Sequence, residues 1–149
     1  MSNDDNAQAL AVQLRLLEDY YQDLSSRESI LVRLYREDRA SLSSLTALKD
    51  IKAADLLVPI GGGAHLPASF TGGGKIVVEV GSGIALEKTP EDAIAFLTGR
   101  IKEVEDTLGK VASQKREVTD RMQAYQQQLE LTSAGPQKDD GSEPKSGDG

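Results

Sequence analysis

Gly72-Gly73-Gly74-Lys75 is the stretch of this 149-residue chain whose residue types come nearest to chemistry, because a glycine run ahead of a lysine can cradle a phosphate. The spacing rejects that use. Ser69 and Ile76 stand where a phosphate loop requires its first glycine and its Ser or Thr, and a strand pattern follows where a helix is needed. Gly61-Gly62-Gly63 and Gly81-Ser82-Gly83 fail the dinucleotide spacing, since no third glycine opens a helix. His65 is the sole histidine, with no cysteine in the chain and no carboxylate cluster beside it, so a turn role is expected rather than a ligand or a base. Asp139 and Asp140 fall in a tail that could hold no catalytic geometry. The reading is a protein that is not an enzyme and binds no cofactor or metal.

The glycines serve turns instead. Ile76, Val78 and Val80 alternate with Lys75, Val77 and Glu79, and Ile84 and Leu86 alternate with Ala85 and Glu87, which is the period of a half-buried strand. A loop of Gly81-Ser82-Gly83 would oppose Val80 with Ile84, Val78 with Leu86 and Ile76 with Lys88, bringing the apolar faces together. Upstream, Leu56, Val58 and Ile60 can oppose Phe70, Ala68 and Leu66 around a loop of residues 61–65. That register sets Pro59 against Pro67, neither of which can donate to a ladder. Two hairpins are therefore expected over 56–88.

The flanking segments read as long helices. From Ala7 to Ala53 there is neither Pro nor Gly, after a polar lead-in at 1–6. Leu10, Leu14, Leu17, Tyr21, Leu24, Glu28, Leu31, Tyr35, Asp38, Leu42 and Leu45 recur every 3.5 residues on average, a coiled-coil seam broken only by two acids expected to reach solvent or an arginine at the seam's edge. Thr89 can cap a second helix over 89–132, with Pro90 at its first position and Glu91 and Asp92 in its first turn. Its seam is Ile94, Leu97, Ile101, Val104, Leu108, Val111, Lys115, Val118, Met122, Tyr125, Leu129 and Thr132. Helices of matching length joined by hairpins predict an antiparallel two-stranded coiled coil with Leu45 near Ile94 and Leu10 near Leu129. The fold class is thus mostly α with a small β part. Residues 133–149 have no large apolar side chain and are expected to be a disordered acidic tail.

Composition narrows the partners. Only 38% of residues are hydrophobic and 4% aromatic, too few for a thick globular core, and the formal charge of −7 disfavours nucleic acid and anionic membrane surfaces. No run approaches about 18 apolar residues, and the MSNDDNAQAL start lacks the basic flank and apolar run of a secretion signal. A soluble cytoplasmic protein is expected.

Isolated two-stranded hairpins are marginal in water, so the strands should find cover from other subunits, with Val58, Ile60, Leu66, Phe70, Ile76, Val78, Val80, Ile84 and Leu86 as assembly residues. At the other end, Leu10, Val12, Leu14, Leu17, Val118, Met122, Tyr125, Leu129 and Leu131 suit loose apolar binding. Val12 and Leu131 lie off the seam and are the better candidates for exposure.

A long arm, VPIGGGAHLPASF, KIVVEVGSGIALEKTPEDAIAFL and a second arm together resemble the α class of archaeal prefoldin, in which two hairpins rather than one separate α from β subunits. Gly61, Gly63, Gly81, Gly83, Pro59, Pro67 and the Glu87-Lys88-Thr89 helix entry match the family's motif; the run Gly72 to Gly74 and the acidic tail depart from it. The resemblance implies a hexamer of two α and four β subunits, so that partners are prefoldin beta subunits and a second alpha subunit. Its hairpins would form a double β-barrel platform, and its arm tips would hold non-native polypeptides, without ATP, for a group II chaperonin. A coiled-coil adaptor for specific folded partners is the alternative, and a coiled-coil nucleotide-exchange factor a more distant third.

Overall fold

The computed structural model describes residues 2–134. All but the first two residues of the expected tail lie outside the described residues, and Ser133 belongs to the last helix. The elements follow the order α1 (Asn3–Leu48), β1 (Ala53–Gly61), β2 (Ala64–Thr71), β3 (Ile76–Gly81), β4 (Ile84–Lys88) and α2 (Pro90–Ser133). Two long helices enclosing two antiparallel two-stranded sheets are the expected fold class.

Helix α1 starts earlier than the polar lead-in suggested. Ser2 acts as its cap: the Asp5 amide donates to Ser2 Oγ at 3.3 Å, and Ser2 Oγ donates back to Asp5 Oδ2 at 3.0 Å. The helix also stops at Leu48, short of Ala53, although nothing in the sequence breaks it. The terminator is tertiary. Ala53 pairs with Thr71, and the Gly72 amide donates to the Lys52 carbonyl at 2.6 Å, so the base of the first hairpin draws residues 52 and 53 out of the helix and into its own hydrogen bonding. At the other junction Thr89 caps α2 as expected, its Oγ1 accepting from the Asp92 amide at 3.2 Å and its carbonyl accepting from the Ala93 amide at 2.9 Å.

Both hairpins turn on two residues, not the longer loops expected. Ser82 and Gly83 take φ of 52° and 74°, and Gly62 and Gly63 take 58° and 78°, the positive pair that a primed hairpin turn demands. Each turn is preceded by a register shift, between Glu79 and Gly81 and between Pro59 and Gly61. In the second hairpin the extra residue restores the parity, so Val78 opposes Leu86 and Ile76 opposes Lys88 as expected, while Ile84 is opposed by Gly81 rather than Val80.

In the first hairpin the expected register is wrong by two residues. Val58 opposes Leu66, Leu56 opposes Ala68, and Phe70 faces Ala54. A two-residue turn plus one bulged residue consumes less chain than the five-residue loop assumed from the glycine run. The prolines consequently do not face each other: Pro59 opposes His65 and Pro67 opposes Leu57. Lacking an N–H, each must sit where the amide would point away from its partner strand, so each outer edge of this hairpin loses one donor for further strand addition.

The described residues fall into two compact units, one reaching up to Ser25 and resuming at Ser113, the other Ser26–Ala112. Within the first, Leu10 shares a cleft with Gln128, Leu131 and Thr132, and Leu17 shares one with Gln114 and Val118. Within the second, Asp38 meets Arg100, and Leu45 shares a cleft with Leu97. In each unit later residues of α1 meet earlier residues of α2, so the helices pair antiparallel.

Gly72 is held by close approach: a Cβ there would stand 2.5 Å from the Ile51 carbonyl oxygen and 3.0 Å from Lys52 Cα, both backbone atoms. Gly72→Ala should lower stability by about 1–3 kcal/mol through overpacking, read as an earlier midpoint in urea unfolding. An unchanged midpoint would show that the hairpin base has slack.

Candidate functional site

The seam residues are where their spacing puts them. All eleven positions from Leu10 to Leu45 and all twelve from Ile94 to Thr132 are buried or half-buried, and Leu24 is fully buried. Burial at every 3.5-residue step is the signature of knobs-into-holes pairing. It also sorts the nine residues expected at the binding tip. Leu14 and Val118 are buried in the seam, and Leu10, Leu17, Met122, Tyr125 and Leu129 are half-buried along it. Val12 and Leu131 stand clear, 60% and 78% exposed. Beside Leu131 and Leu10, a cleft of about 490 Å³ opens between the helices, lined also by Asn6, Ala9, Gln13, Gln128 and Thr132.

Two exposed residues of the same surface were not anticipated. Leu16 is 62% exposed, and Tyr20 is exposed too. With Val12 they form an i, i+4, i+8 row on α1, a row that lies along one side of a helix. The signal was present in the sequence but was masked by the stronger seam beside it.

On the hairpins, Val58, Ile60, Leu66, Ile84 and Leu86 are exposed, Phe70, Ile76 and Val80 are half-buried, and Val78 is buried within its own chain. Leu56, Leu57 and Val77, outside the expected set, are also exposed. Along β1, Leu56, Leu57 and Val58 are consecutive and therefore point to alternate faces, so both faces of the first hairpin present apolar surface. The second hairpin has one covered face: Ile76 to Glu79 line a cleft with Ala40, Ser41, Ser44 and Leu45 of α1 and Leu97 and Arg100 of α2.

A polar node fastens that covered hairpin. Asp38, at a seam position and only 4% exposed, receives Arg100 Nε at 2.8 Å on Oδ2 and Arg100 Nη2 on Oδ1. The acid was expected to reach solvent or an arginine; it takes the arginine, and is buried in doing so. Arg100 Nη1 donates to the Glu79 carbonyl of β3 at 3.3 Å. The guanidinium lies 5.3 Å from the Phe96 ring centre, and Lys88 Nζ lies at the same distance from that ring. The hydrogen bond to Asp38 holds the guanidinium above its ordinary pKa; burial works the other way, and the charges of Asp38 and Glu79 add to the rise. Arg100 therefore stays charged throughout the ordinary pH range.

His65 was expected in the turn but falls in β2, opposite Pro59 and just past the two-glycine turn, with Nδ1 3.1 Å from the Gly63 carbonyl oxygen. Among the described residues no group of three or more His, Cys, Asp or Glu could hold a metal ion, and no helix is long and apolar enough to cross a membrane.

The family model described as "Prefoldin subunit" matches residues 4–134. A prefoldin subunit alpha of Nitrosopumilus maritimus is 34% identical over 143 residues, 96% of this chain and 98% of the relative. Its counterpart in Pyrococcus horikoshii is 31% identical over 140 residues, 88% of this chain and 95% of the relative. Among solved structures, the prefoldin beta subunit of Thermococcus strain KS-1 shares the fold with a TM-score of 0.62 at 15% identity, over 88% of this chain and 95% of that one.

The division between seam and free surface can be measured as stability. Leu24→Ala should cost about 2–5 kcal/mol in urea unfolding, whereas Leu131→Ser should stay within about 0.5 kcal/mol of the parent. Equal losses at both positions would mean that Leu131 is packed.

Proposed function

The chain belongs to the prefoldin family, whose members are non-enzymatic chaperone subunits, and from that footing we propose that it works as an ATP-independent holdase subunit in the cytoplasm. In this reading two copies join four beta-class prefoldin subunits, and strands from the hairpins close an intersubunit β-barrel platform. The paired ends of α1 and α2 capture non-native polypeptides, which pass to a group II chaperonin.

The observation that carries the reading is that apolar side chains with no place in the seam stay in solvent near the paired helix ends: Val12, Leu16 and Leu131 are each at least 60% exposed. A folded client offers little to such a surface, whereas an unfolded chain offers scattered apolar side chains of many shapes. Each contact is weak, and several arms in one assembly raise the effective concentration of the next contact. Met122, half-buried nearby in sequence, adds an adaptable thioether. On β1 and β2, a hairpin with apolar residues on both faces calls for cover on both, which further strands supply in closing a barrel.

The tip and platform roles are separable by mutation. Val12→Ser with Leu131→Ser, in the chain assembled with a beta-class prefoldin subunit, should leave the mass of the complex unchanged while weakening its ATP-free suppression of a denatured client's aggregation by several-fold. Full suppression by that variant would remove these residues from the client surface, and tight capture of one folded protein with no effect on denatured clients would favour the adaptor alternative. Ile60→Asp with Leu66→Asp should instead prevent the full-size complex from forming, seen by light scattering; a complex of parent mass would contradict their assembly role.

A further inference from the structure

A seam of leucines and valines does not by itself choose one register. Within Ser26–Ala112 the α1 seam offers Leu31, Tyr35, Leu42 and Leu45, and the α2 seam offers Ile94, Leu97, Ile101, Val104, Leu108 and Val111. Sliding one helix by seven residues sets apolar against apolar again, so hydrophobic burial alone separates the two alignments poorly. Asp38 is the exception. It is the one buried charged residue in the described chain, and its carboxylate needs a partner whatever the leucines do. Arg100 supplies two parallel hydrogen bonds in the observed alignment. A slide of one heptad puts Ala93 or Thr107 in the place of Arg100, and neither carries a positive charge.

The same guanidinium reaches out of the helix pair. Its third nitrogen donates to the Glu79 carbonyl, and its face lies against Phe96, whose ring also receives Lys88 from the end of β4. No comparable tie between a helix side chain and the first hairpin is seen among the described residues.

We propose that Arg100 is a positioning residue whose fork on Asp38 selects a single register for the antiparallel helix pair of Ser26–Ala112, and whose contact with the Glu79 carbonyl seats the second hairpin on that register. The device goes beyond client capture and holds whether or not the tips bind unfolded chains. Buried ion pairs are weak stabilisers but are well suited to this use, since an apolar replacement can match their stability without matching their selectivity. A lysine could answer the carboxylate as a point charge, but only a planar fork can hold both carboxylate oxygens and still turn a further nitrogen to the strand.

The chain has no cysteine, so two introduced cysteines carry spin labels without background. Arg36→Cys and Lys110→Cys, both exposed and axially staggered, report a slide of seven residues, about 10 Å along the axis, as a second distance in pulsed electron resonance of the full chain. The labelled parent should give one distance. Asp38→Leu with Arg100→Leu should melt at or above the parent temperature and yet show a broadened or second distance. One sharp parental distance in that variant would overturn the register role. Arg100→Lys, which keeps the charge, should retain the single distance while amides of Ile76–Gly81 exchange roughly 10-fold faster, as expected for loss of one hydrogen bond from a charged donor. Exchange at the parental rate would overturn the seating of the hairpin.

Discussion

Apart from Val78 and Ala93, every buried hydrophobic residue among the described ones lies on the 3.5-residue seam of α1 or of α2. Among the described residues there is no second layer and no sheet large enough to make one, so the antiparallel pairing of α1 and α2 is the constraint on which everything else rests. It fixes which side chains are used up internally, and by subtraction which remain available. A residue such as Val118 or Leu14 cannot serve a partner without leaving the seam, whereas Leu131 and Val12 lose nothing by doing so. The same subtraction applies to the strands, where a two-stranded sheet leaves most of its apolar surface uncovered.

The two hairpins resolve that problem differently. β3 lines a cleft with residues of both helices, with Val78 buried and Arg100 pinning the Glu79 carbonyl, so one face of that hairpin is covered within the chain itself. β1 and β2 are anchored at their base, through Gly72 and Lys52, and expose Leu57, Ile60 and Leu66 above it. In the assembly proposed above, the seated hairpin would serve as the fixed reference strand pair and the hairpin with two open faces would complete its packing on contact.

Much of this was legible in the residues. Heptad spacing identified every seam position, and Thr89-Pro90 with two acids identified the start of α2, because both signals are local and their physics is short-ranged. The end of α1 was not legible: no breaker stands there, and the helix yields to strand pairing contributed by residues about 20 positions later. The first register was misjudged because a glycine run is compatible with several loops, and only the positive φ of Gly62 and Gly63, with the bulge after Pro59, shows which was chosen. Gly72 looked like a departure from the family's pattern and proves to be a position where the backbone of residues 51 and 52 leaves no room for a side chain. Asp38 was visible as an anomaly in the seam, but its arginine could be identified only once the helices had a register.

The central claim is that the hairpins are completed by other chains and the seam is not. Hydrogen exchange of the full chain, alone and after mixing with a beta-class prefoldin subunit, measures this at residue level. The expected result is fast exchange through β1 and β2 in the lone chain, slowed by roughly 100-fold on mixing, with amides around Val104 and Val111 already protected and little changed. Strands as well protected alone as in the mixture, or strands that stay fast in a formed complex, would contradict it.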